Sequence, residues 1–257
     1  MQFNLPDRIE EASFYVQTPF EIFEIDNFLD DQSYKALSLD VSQRHEFDHT
    51  FRSKGNKRKY SVGGHNIDEL PASPWKEFCT FFLSQSFFEW FVKTHLSRFQ
   101  KTGSLFYVPR TDDEHFAALQ KNHEENGIDA TYYHGEIHYS SIAKGGFIPP
   151  HTDHRKKRLS FVFYTPVDPV PEEMKTALGT VFYAAKPGHT QWRKLASGLL
   201  DGDQTRAFKS DHERVRTSRF TMNRCVGFIK NDISWHAVEP NPFDYDRRAI
   251  VVNILEV

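Results

Sequence analysis

The chain has 257 residues, 39% of them hydrophobic and 15% aromatic, with a formal net charge of −3. That composition supports a sizeable core and excludes a disordered chain. The small charge leaves no electrostatic footprint for nucleic acid or an anionic membrane. Two cysteines, Cys79 and Cys225, cannot build a disulfide framework, which fits a reducing compartment. There is no basic, apolar leader and no run of about 18 apolar residues, so a soluble cytoplasmic protein of one domain, residues 1–257, is expected.

FEIFEIDNFLD, residues 20–30, alternates apolar and polar side chains and predicts a strand. DDQSYKALSLD follows as a short helix capped by Asp30 or Asp31. Helical periodicity runs from Ser73 to Gln100. Ser73 suits the N-cap and Pro74 the first helical position, and Trp75, Phe78, Phe82, Phe88 and Phe91 form an apolar face whose ordinary role is core packing. DDEHFAALQKNHEEN predicts a polar surface helix, with His115 and His123 on the surface. Residues 1–130 therefore read as mixed, helical support.

From about residue 131 the character changes to short β runs: TYYHGEIHYSSI, KRLSFVFYTP, GTVFYAA, NRCVGFIK, ISWHAV and RRAIVVNILEV. Turn residues separate them, so residues 131–257 predict a mainly β core, a sandwich or barrel, with the helices covering one sheet. In the last run Ile250, Val252 and Ile254 share one face and Ala249, Val251 and Asn253 the other, so both faces need cover. Residues 186–224 form a long inserted loop with nine basic against four acidic side chains, and Arg155 to Arg158 add a cationic run. A basic lid over an anionic substrate and a merely solvated loop both fit that charge.

PPHTD, residues 149–153, carries the chemistry. In a strand, positions i and i+2 share a face, so His151 and Asp153 project together with Thr152 turned away. His236, central in ISWHAV, can supply a third leg from another strand, with Trp235 facing the opposite way. Two imidazoles and one carboxylate with open positions are the ligand set of non-haem Fe(II) oxygenases. An H-x-D pair alone also arises by chance among 13 histidines. His134 and His138 share a strand face too but lack a distal partner. Arg247 opens the last strand; if buried it needs an anion, and a guanidinium grips a carboxylate with two parallel hydrogen bonds. The competing reading pairs Arg247 and Arg248 with Asp244 or Asp246 at the surface.

Taken in order, PPHTD, LSFVFYTP, GFIKNDISWHAVEP and RRAIVV resemble the Fe(II)- and 2-oxoglutarate-dependent dioxygenases, most of all the prolyl 4-hydroxylase-like branch. The resemblance covers roughly Thr131 to Val257, and more loosely FEIFEIDNFLDDQSYKAL. It implies a double-stranded β-helix, a cupin-like jelly roll with supporting helices. It implies His151, Asp153 and His236 as Fe(II) ligands, Arg247 as the group binding the far carboxylate of 2-oxoglutarate, and Arg248 in that role if the register slips by one. Tyr164 and Tyr139 match family tyrosines near the cosubstrate. The implied reaction consumes 2-oxoglutarate and O2, releases succinate and CO2, and hydroxylates an unactivated C–H bond. The substrate is a prolyl residue, a free amino acid or another small polar or anionic molecule, with no nucleic acid or membrane partner expected. Alternatives are a non-enzymatic cupin-like binding protein, a zinc hydrolase, and a nucleic-acid demethylase of the same superfamily. The last carries a second arginine where this chain has Asn253. Nothing in the sequence specifies the oligomeric state.

Overall fold

A computed structural model describes residues 1–44, 57–63, 66–91, 103–109, 114–193 and 200–257. The alternation in the last strand dictates its layering. β12 (Arg247–Glu256) is flanked antiparallel by β5 (Ala130–Ile142) and β7 (Lys157–Tyr164). The sheet continues from β7 through β10 (Cys225–Ile229) and β2 (Ile22–Ile25) to β1 (Phe14–Val16), and from β5 to β3 (Lys57–Gly63). β4 (Ser104–Tyr107) adds to β5 in parallel. A second, smaller sheet runs β6 (Ile148–His151), β11 (His236–Val238), β8 (Thr180–Ala185) and β9 (His212–Ser218), all antiparallel. Two antiparallel sheets face to face make the double-stranded β-helix expected from the sequence.

Each face of these sheets has its own core. Ile250, Val252 and Ile254 of β12 join Phe161 and Phe163 of β7 beneath α1 (Asp31–Gln43) and α2 (Pro74–Phe82). The opposite face, with Ala249, Val162 and Tyr164, meets Phe182 of the small sheet. Beyond the small sheet, Val181, Tyr183 and Trp235 pack on Phe208 of α5 (Gly202–Asp211), so Trp235 does turn away from its neighbour His236. α3 (Glu114–Glu125) and α4 (Glu172–Ala177) complete the named helices. Cys79 and Cys225 are buried in the helix-side core, as packing residues. Among the described residues no helix is long and apolar enough to cross a membrane.

Several local expectations change. Asp30, not Asp31, caps α1 by accepting from Ser33 N at 3.0 Å. The periodicity from Ser73 to Gln100 is interrupted after α2 and resumes as helix over residues 85–91; positions 92–100 lie outside the described residues. Ser84 makes the break: its hydroxyl donates to Phe81 O at 2.6 Å and accepts from Phe87 N at 3.2 Å, competing with the helical ladder. His123 is buried rather than on the surface, its ring tilted 4.3 Å from that of Phe106 and bonded at 2.7 Å to the Tyr132 hydroxyl. The segment 186–224 contains α5 and β9, an edge strand of the small sheet, where the sequence suggested a loop; 194–199 lie outside the described residues. Much of its charge meets carboxylates elsewhere in the fold: Lys209 and Arg214 meet Glu239, Arg216 and Arg224 meet Glu24, and Arg219 meets Glu172.

Candidate metal centre

β6 and β11 are neighbours in the small sheet, and their register places His236 opposite His151. β6 ends at His151, so Thr152 and Asp153 lie in the turn beyond it, and the carboxylate returns toward the two rings by that turn rather than by strand alternation. The ring centroids lie 4.2 Å apart, and Asp153 Oδ2 is 4.0 Å from His236 Nε2. Each of the three residues offers one ligand atom, and all three atoms lie within 4.8 Å of one another. Among the described residues this is the one cluster of His, Cys, Asp and Glu side chains arranged to hold a metal ion.

The protonation of the rings is set by their partners. His151 Nδ1 lies 3.0 Å from Pro149 O, and His236 Nδ1 lies 3.0 Å from Ser234 O. A carbonyl only accepts, so each Nδ1 carries the proton and each Nε2 presents its lone pair. Burial, then the second imidazole, pushes the pKa of His151 down to about 3, which keeps it neutral and able to ligate. Burial alone would raise Asp153, but the Lys157 ammonium, by its charge and its hydrogen bond, holds it well below the usual carboxylate range. The donor set is thus two imidazoles, His151 held neutral, and an ionised carboxylate, which suits a divalent first-row metal.

The sequence did not single out the groups that fix Asp153. Lys157 Nζ donates to Oδ1 at 2.8 Å. Ser160 Oγ lies 2.9 Å from Asp153 Oδ2 and 2.9 Å from the Asn253 side-chain amide. A hydroxyl has one proton. Turned so that Nδ2 faces Ser160, the amide donates to Oγ, and the hydroxyl proton is left for Asp153. The same turn gives an acceptor to Nδ2, which is otherwise buried without a partner. Asn253 is fully buried, at the position where the demethylase alternative requires arginine.

A cavity of about 110 Å³ connects His151, Asp153 and His236 with Arg247, walled by Val162, Thr180, Phe228 and Val251 among others. Arg247 is 2% exposed. Its Nε donates to Leu178 O at 2.7 Å and one terminal nitrogen to Thr180 Oγ1 at 3.1 Å, with no carboxylate in ion-pair range among the described residues. Burial pushes its pKa down. A guanidinium so enclosed is costly without an anion, and the free space beside it is the cavity. Arg248, one position on, points to a separate surface cleft with Asp168, Asp244 and Asp246. Tyr164 is buried beneath Arg247, ring centroid 5.3 Å from the guanidinium carbon, and its hydroxyl bonds Thr180 and Ser218 O. Tyr139 packs in the helix-side core, while its neighbours His138 and Ser140 line the cavity.

No protein-family model and no curated protein matches this sequence. Solved structures do match. A prolyl 4-hydroxylase from Pseudomonas putida aligns over 91% of this chain and 91% of its own, with 12% identity and a TM-score of 0.52. A prolyl hydroxylase from Trichoplax adhaerens, in complex with a hypoxia inducible factor oxygen degradation domain peptide fragment, aligns over 91% and 83%, with 12% identity and a TM-score of 0.45. The epimerase SnoN, in complex with Fe3+, alpha ketoglutarate and nogalamycin RO, aligns over 91% and 78%, with 9% identity and a TM-score of 0.47. The fold of this chain is the prolyl 4-hydroxylase-like double-stranded β-helix.

Proposed function

We propose that the protein is an Fe(II)- and 2-oxoglutarate-dependent oxygenase that hydroxylates an unactivated C–H bond. One observation carries the reading: a buried Arg247, with no carboxylate partner among the described residues, shares a cavity with two imidazoles and a carboxylate. A metal-binding protein without this cosubstrate has no use for a buried cation opposite its ligands. A dicarboxylate that meets the metal at one end and Arg247 at the other accounts for both ends of the cavity. His151, Asp153 and His236 would hold the iron. Bound there with 2-oxoglutarate and O2, it would supply an oxidative decarboxylation, giving succinate and CO2, coupled to hydroxylation.

The chain's own residues orient and enclose. Pro149 O and Ser234 O aim the two rings by holding their Nδ1 protons. Lys157 and Ser160 hold Asp153 charged and in place. Arg247 and Thr180 present donors to the far carboxylate, and Val162, Phe228 and Val251 keep that end dry, which strengthens the ion pair.

Anaerobic titration with Fe(II) and then 2-oxoglutarate tests the reading by the visible charge-transfer band of such complexes. A band that saturates with one cosubstrate per chain is expected. A protein that binds Fe(II) but never develops the band is not an enzyme of this type. Replacing iron by zinc discriminates further: turnover is abolished here and would rise in a zinc hydrolase.

A further inference from the structure

The metal centre uses only part of the cationic run after Asp153. Lys157 turns to the carboxylate, whereas Arg155, Lys156 and Arg158 line a different cleft of about 480 Å³, whose other wall carries Lys230 and Asp232. The walls are tied by Lys230 N donating to Arg158 O at 3.0 Å. Arg158 is matched by Glu256 at 2.6 Å, so that pair cancels. Arg155 and Lys156 are exposed. Lys230 differs from both: it is 6% exposed. Among the described residues its ammonium has no hydrogen-bond or ion-pair partner, and Asp232 acts on it only at longer range. Lys157, which bonds Asp153, stands in the chain between Lys156 and Arg158 of the cleft, and this sets the cleft beside the metal centre.

Lys230 buries its stem and brings its ammonium to the cleft wall with no counter-charge in ion-pair range among the described residues, and a bound anion supplies one. Three uncancelled cations against one carboxylate favour an oxyanion, and Arg155 adds a planar fork that matches one. Resting on the oxygenase reading above, we propose that this cleft is a subsite for an oxyanion, a carboxylate or phosphate group, carried by the substrate whose C–H bond enters the metal cavity. The cationic run that follows H-x-D then has two tasks: Lys157 holds the metal ligand, and its neighbours hold the substrate.

The test starts with the metal-free full chain and inorganic phosphate, so that it does not depend on iron. Wild type, Lys230→Met, the exposed double variant Arg155→Ala/Lys156→Ala, and Lys121→Met on α3 as a control are compared by thermal unfolding. Phosphate is expected to raise the Tm of wild type and Lys121→Met saturably. Lys230→Met should not respond, and the double variant should lose most of the shift. An equal response in wild type and both cleft variants overturns the site. A second arm loads Mn(II) in place of iron, adds 2-oxoglutarate, and follows the relaxation of the phosphate 31P signal. Broadening that depends on Lys230 is expected. Phosphate that stabilises through Lys230 but is not broadened occupies a free-ion site remote from the metal, and the substrate assignment falls. Failure of Mn(II) to bind, read from its EPR spectrum, removes the oxygenase reading and leaves the thermal result standing on its own.

Discussion

His151 and His236 face each other across the β6–β11 pair, and each gives its Nδ1 proton to the carbonyl two residues earlier in its own chain, at 3.0 Å. Two rings locked by the same local device leave two Nε2 lone pairs converging beside Asp153. His151→Ala or His236→Ala removes one of them while every apolar core side chain stays in place. Each variant should lose Fe(II) affinity by more than the roughly 100-fold that follows loss of a supporting residue, while its far-ultraviolet circular dichroism stays that of wild type. Calorimetric titration of both variants with Fe(II) is the measurement, and unchanged binding in either would remove that ring from the site.

Arg247 and Arg248 are adjacent in sequence and opposed in environment. One is 2% exposed in the cavity, and the other faces Asp168, Asp244 and Asp246 on an outer cleft. Arg247→Ala should weaken 2-oxoglutarate binding by about 2 kcal/mol or more, roughly 30-fold, because a buried charge partner is lost. Arg248→Ala should stay within roughly fivefold, as exposed ion pairs do. The dissociation constant from the anaerobic charge-transfer titration separates them, and the reverse order would contradict the strand register.

Much of this was legible in the sequence because it rests on short-range periodicity. The alternation of Ile250, Val252 and Ile254 with Ala249, Val251 and Asn253 showed that both faces of β12 need cover, but which face meets the helices, and so which arginine enters the cavity, is decided by packing. His151, Asp153 and His236 stood out because an H-x-D pair and a lone histidine in a β run are unusual together. The groups that hold Asp153 were not legible. Ser160 and Asn253 lie on different strands and meet only through the β7–β12 register, in which they are direct partners. His138 looked like an unpartnered strand histidine because the cavity beside it is built by β6, β11 and β12 from elsewhere in the chain. The strand and helix in 186–224 escaped notice because the alternation of β9 is polar on both sides, as suits an edge strand. The break at Ser84 left no mark on the apolar periodicity, since aromatic residues continue on both sides of it.

Ser160 relays between a buried amide and a metal-ligand carboxylate, and it is 1% exposed. Ser160→Ala leaves both neighbours short of a partner, which should cost about 1–3 kcal/mol of stability. It should also weaken Fe(II) binding roughly 10- to 100-fold, because Asp153 is then less firmly aimed. Denaturant melts and metal titrations of the same variant read the two effects. Loss of stability with unchanged metal affinity would confine Ser160 to packing.

Glu239 gathers three partners at the end of β11: the Tyr183 hydroxyl at 2.6 Å, Lys209 at 3.0 Å and Arg214 at 3.0 Å. Burial would raise its pKa, but Tyr183, Lys209 and Arg214 together hold it below the ordinary value of 4.5. Its folded value is therefore the lower one. The stability it confers is complete above the unfolded value and is lost as pH falls through the folded one. The Tm difference between wild type and Glu239→Gln should be constant near neutrality and shrink below about pH 4.5. A difference that persists undiminished to pH 3 would show that the carboxylate stabilises by shape rather than by charge.

Gly227 lies in β10 between Phe23 of β2 and Phe161 of β7, its partners in register on either side. The two rings pack edge to face across it, centroids 5.5 Å apart. A Cβ at this position would come within 2.1 Å of the Phe23 ring, far inside any contact that a small rotation relieves. The glycine is there for close approach: a methyl group would drive Phe23 out of a position where it is fully buried. Gly227→Ala should therefore destabilise by about 1–3 kcal/mol, the usual cost of overpacking a filled core. A second change can give the space back. Phe23→Leu alone should also destabilise, by loss of buried area, but in the double variant the two penalties should fall short of their sum, because the smaller side chain admits the methyl group. Urea unfolding of the four proteins completes the cycle, and strictly additive losses would mean that Phe23 and position 227 do not compete for one volume.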